Sequence, residues 1–74
     1  MNILKLKEKY NKGQIEGIDV AIVILTAAAR GEIDNKDVFT ISEFIFGSKI
    51  KAHEAIIEAS ILILAILGGD DYED

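Results

Sequence analysis

The sequence predicts an all-α domain, a small three- to four-helix bundle with a long C-terminal helix at 49–67. Three observations carry that expectation. Lys49 to Leu67 runs nineteen residues without Gly or Pro before Gly68-Gly69, enough for ~28 Å of helix. Gln14 to Ala29 spaces its apolar residues as a helix would and is followed by Arg30-Gly31, a helix stop. Thr40-Ile41-Ser42-Glu43 has the form of a capping box. In it Thr40 accepts from the N–H of Glu43 while the Glu43 side chain reaches back to Thr40.

Met1–Lys12 is basic and weakly amphipathic, with Ile3, Leu6 and Tyr10 on one side, and reads as a first helix at about 2–11. Its lysines form a wet face, or a basic arm for nucleic acid or an anionic lipid surface. Gly13 breaks the pattern. The second helix, at 15–30, carries a stripe of Ile15, Ile18, Ile22, Leu25 and Ala29. A buried strand at Ile18–Thr26 competes, because the run is β-branched and of strand length. Ala27-Ala28-Ala29 favours helix, and Gly17 weakens the first turn enough to move the start to Asp19.

Glu32–Asp37 is a polar connection. The capping box then starts a short helix at 41–47, its apolar face formed by Ile41, Phe44 and Ile45, with Phe39 and Phe44 at hydrophobic-staple positions. Gly47-Ser48 interrupts it, and Ser48 caps the long helix. In that helix Ile50, Ile57 and Leu64 recur every seven residues with Ile61 between the last two, while Lys49, Lys51, Glu54 and Glu58 face water. From Ile61 to Leu67 every residue is apolar. Helices 15–30 and 49–67 are expected to form a central antiparallel pair. The acidic segment 70–74 is expected to be a flexible tail of this single domain, 1–74.

Half of the 74 residues are hydrophobic and fourteen are Ile, more than a chain of this length easily hides. Small domains make up the shortfall with disulfides, metals or oligomerisation. There is no Cys and one His, which leaves oligomerisation. The expected interface is Ile61, Ile63, Leu64, Ile66 and Leu67, pairing two copies or more. Net charge is −5; residues 1–12 hold four Lys against one Glu (+3), so 13–74 carry −8. An acidic body repels phosphate backbones and counts against nucleic acid as a partner. No signal-peptide pattern opens the chain and no apolar run reaches ~20 residues. A soluble, cytoplasmic protein is expected, with no membrane partner.

Nothing in the sequence converges on chemistry. His53 is the only His, and no triad or elbow motif surrounds it. Glu54 and Glu58 lie four apart but lack the Glu-x-x-His companions of bundle metal sites. No enzyme activity, cofactor or metal is therefore expected. The expectation is a non-catalytic interaction or regulatory module that self-associates and binds a larger protein, as small accessory factors of viruses or mobile elements do. Glu16, Asp19, Glu32, Asp34 and Asp37 would form an acidic partner surface able to mimic phosphate charge. The alternative is a small helix-turn-helix DNA-binding regulator, with Lys49, Lys51 and His53 opening the recognition helix. Steeply salt-dependent binding to duplex DNA distinguishes the two.

Overall fold

A computed structural model describes residues 1–68. It places α1 at Ile3–Asn11, α2 at Gly17–Ala29, a 3₁₀ turn at Asn35–Asp37, α3 at Val38–Phe46 and α4 at Lys49–Leu67. Among the described residues there is no strand. The run Ile18–Thr26 is helical, and the helix starts at Gly17, between the expected start at 15 and the later one at Asp19. The acidic tail at 70–74 lies outside the described residues.

Local chemistry sets most of the helix ends. The Asn2 side chain accepts from the Lys5 N–H at 3.0 Å and caps α1. At the end of α2, Gly31 takes φ 77°, and the Gly31 and Glu32 N–H groups return to the carbonyls of Ala28 and Ala27. That double bond pattern consumes carbonyls the helix would otherwise leave unpaired. Ser48 Oγ accepts from the Lys51 N–H and caps α4 as its sequence position predicts.

The capping box does not form. The 3₁₀ turn runs directly into α3, which starts at Val38 with Asp37 as an N-cap that makes no side-chain bond. Thr40 therefore sits inside the first turn and is exposed. Burial of Val38 accounts for the earlier start: it joins the core, and the helix must extend back to deliver it. The staple fails with the box. Phe39 meets the His53 ring at 4.5 Å with the planes tilted by 53°, and Phe44 lies beneath Lys7 Nζ at 4.9 Å. Lys7 also donates to the Phe44 carbonyl at 2.6 Å, so one of the four N-terminal lysines is committed to the fold.

The chain runs down, up, down, up, and α2 and α4 are parallel. The start of α2, at Gly17 and Ile18, lies beside Lys51, Ala55 and Glu58. Its end, at Leu25, Ala29 and Arg30, lies beside Ser60, Ile63 and Leu64. The expected antiparallel pair is thus corrected. Nine residues of α3 are a full element, ~13 Å long, and carry the chain back to the starting end of α2 before α4 begins. There Phe46 meets Tyr10 edge to face, at 4.8 Å and 77°.

The core comprises Leu6, Val20, Ala21, Ile24, Val38, Ile45, Phe46, Ala52, Ala55, Ile56 and Ala59. In α2 the innermost face is Val20, Ala21, Ile24 and Ala27; the expected stripe of Ile15, Ile18, Ile22 and Leu25 only flanks it, and Ala29 is exposed. In α4 the innermost face is Ala52, Ala55, Ile56 and Ala59. Both helices turn alanines inward, which lets their axes approach closely. Ser42, wholly buried, donates to the Val38 carbonyl at 2.7 Å, so its hydroxyl is satisfied.

Gly17 leaves room for the Phe46 ring at the start of α2. A Cβ there would lie 3.2 Å from Phe46 Cε1, with Tyr10 behind. Gly17→Val is expected to destabilise the domain by about 1–3 kcal/mol by overpacking this corner. Urea unfolding measures it, and an unchanged midpoint would mean that the Tyr10–Phe46 pair yields freely.

Candidate interaction surface

With alanines facing in, the large aliphatics of α4 face out. Ile50 is 72% exposed, Ile57 55%, Ile61 62% and Leu64 69%. The amphipathic pattern of the first half of α4 puts Ile50 and Ile57 on the buried side, and the structure puts them outside; Ile61 and Leu64, expected at the interface, are open. The charged positions are as expected: Lys49, Lys51, Glu54 and Glu58 are exposed. Sequence periodicity finds an apolar face but does not say what covers it, and here the bundle uses the opposite one.

Past Ser60 the cause of exposure changes. Beside α4's nineteen residues, α2 has thirteen and α3 nine, so α4 outlasts its neighbours. α3 packs on α4 where Phe39 meets His53, and further along Leu25, Ala29 and Arg30 of α2 lie beside Ser60, Ile63 and Leu64. Ile66 and Leu67 are consequently 71% and 76% exposed. Leu62 is exposed and Ile63 half-buried. Of the five residues expected at the interface, Ile61, Leu64, Ile66 and Leu67 are open. Ile63 instead lines an apolar groove of about 620 Å³ between α2 and α4, with Leu25, Thr26, Ala29, Arg30, Ser60 and Leu64. Sequence spacing gave no sign of that groove, because it depends on where α3 begins relative to the end of α4.

The acidic residues do not gather on one face. Glu16 and Asp19 stand at the start of α2, whereas Glu32, Asp34 and Asp37 follow its end, thirteen helical residues away. Glu32 is partly occupied within the chain. Its carboxylate lies 3.5 Å from the Met1 amino group and 3.9 Å from Arg30, exposed pairs of little energetic weight. His53 Nε2 lies 3.9 Å from Glu43 Oε2, and the ring lies tilted against Phe39. That arrangement is an edge contact between α3 and α4.

Among the described residues no helix is long and apolar enough to cross a membrane. The chain matches no protein-family model, no curated protein and no solved structure.

Proposed function

We propose that this protein is a non-catalytic interaction module that works by self-association through the outward face of α4. The observation that carries the reading is the contrast along that helix: alanines at 52, 55 and 59 inward, large aliphatics at 50, 57, 61 and 64 outward. Moving a large aliphatic from water into an interior is worth ~1.5–3 kcal/mol. Exposing four in a row on one helix, with two more at its end, forgoes an appreciable part of what stabilises a small domain. Contiguous apolar surface of this kind marks interfaces. The other half of the reading is a larger protein docked on the same assembly, for which the separated acidic clusters at the two ends of α2 offer contact points.

Sedimentation equilibrium tests the reading. At micromolar concentrations the expected mass is at least twice that of one chain. A folded monomer across the whole accessible range would overturn it. Retention on duplex DNA that falls steeply with salt and depends on Lys49 and Lys51 would favour the helix-turn-helix alternative.

A further inference from the structure

We infer that the occupant of the outer α4 face is the α4 of a second copy, docked antiparallel, with Lys51 of each chain beside Glu58 of the other. The inference rests on the self-association reading above and adds its orientation and register. Ile50, Glu54, Ile57, Ile61 and Leu64 follow at intervals of four, three, four and three residues, and all five are exposed. That alternation is the seam of a two-stranded coiled coil, which keeps one narrow stripe in register with a partner helix. The opposite side of α4, at Ala52, Ala55, Ile56 and Ala59, already belongs to the bundle core. A second copy can therefore engage the seam without displacing anything.

Glu54 selects the orientation. In a parallel, in-register pair each seam residue meets its own counterpart, so Glu54 would face Glu54 of the second copy within an otherwise aliphatic layer. Two carboxylates sharing a partly dry layer repel each other. An antiparallel pair instead sets each Glu54 across from an aliphatic residue, with room at the edge for the carboxylate to reach water. The macrodipoles of the two helices also then oppose favourably.

The flanking charges select the register. Lys51 and Glu58 lie on the same edge of the seam, seven residues apart. When Ile50 of one chain stands level with Ile61 of the other, Glu54 faces Ile57 of the second copy. Lys51 then comes within ~3 Å, measured along the axis, of Glu58 of the second copy. The two-fold axis repeats the pair, giving two opposite-charge contacts. In the parallel arrangement Lys51 has no carboxylate across from it, and Glu58 faces only His53 of the second copy.

The chain contains no Cys, so introduced thiols report the pairing without background. Ile50→Cys and Ile61→Cys, mixed and oxidised gently, are expected to give a cross-linked dimer far in excess of either variant alone, since a disulfide needs closely placed Cβ atoms. Lys51→Glu and Glu58→Lys are each expected to raise the dimer Kd on the order of tenfold, and the double reversal to restore it. Ile50→Cys linking to itself as readily as to Ile61→Cys would overturn the orientation, as would a dimer indifferent to both charge reversals. A monomeric wild-type chain would overturn this inference together with the reading it rests on. A wild-type dimer with the wrong cross-links removes the orientation alone.

Discussion

Replacing Ile24 with Ala is expected to remove about 2–5 kcal/mol of folding stability and to lower the melting temperature by about 10–30 °C. Ile24 is among the largest wholly buried side chains, with Ile45 and Val20. It lies in the middle of α2, which packs against all three other helices. The void left by truncation would therefore be walled by helices whose positions are fixed elsewhere, and such a site collapses poorly. A chain of this length has only ~4–11 kcal/mol in total, so the loss is a large fraction of the whole. Leu4→Ala, at an exposed position on α1, should stay within about 0.5 kcal/mol. Urea denaturation separates them: the midpoint should fall for Ile24→Ala at unchanged slope. A drop under about 1 kcal/mol would mean that the core relaxes around the gap.

The contrast between Ile24 and Leu4 also marks what can be read from the sequence alone. Chain-local features were legible. Gly31 ended α2, Ser48 capped α4, and among the described residues the four helices without a strand followed from spacing and alanine content. The position of the long helix, 49–67, was also legible. What was misread depended on neighbours. The capping box at Thr40–Glu43 has the right residues, yet Val38 is more valuable to the core than Thr40 is as a cap, and the helix start moved with it. The Ile50–Ile57–Leu64 stripe is as periodic as a core face, and Ala52, Ala55 and Ala59 are periodic as well. Periodicity ranks faces by hydrophobicity, whereas a tightly packed four-helix bundle also selects for small side chains. The direction of α2 relative to α4 required counting α3 as a full reversal. For the candidate surface, the exposed end of α4 was legible from its unbroken run Ile61–Leu67. The outward stripe and the groove beside Ile63 were not: the first follows from α4 packing through its alanines, the second from how little of α4 is covered by α3.

Ile57→Glu combined with Ile61→Glu is expected to dissociate the assembly while leaving the monomer fold intact. Both side chains are more than half exposed in the single chain, so the monomer loses little when they become polar. In a two-fold pair the two substitutions remove four aliphatic side chains and bury four carboxylates without partners. Even at half of ~1.5–3 kcal/mol per side chain, the loss raises the Kd by at least about 10²-fold before the cost of the buried charges is added. Sedimentation should give the monomer mass at concentrations where wild type is dimeric, with unchanged helical circular dichroism. Wild-type melting temperature should rise with protein concentration, and that of the double variant should not. Ala29→Glu serves as the counterpart. Ala29 is exposed and lines the groove beside Ile63 and Leu64, away from Ile50, Ile57 and Ile61 of the seam, so a glutamate there blocks the groove and spares those three. If the seam carries the interface, Ala29→Glu leaves the dimer intact and the double variant abolishes it. If Ala29→Glu dissociates the dimer and the seam variants do not, the second copy occupies the groove, and the working surface lies between α2 and α4.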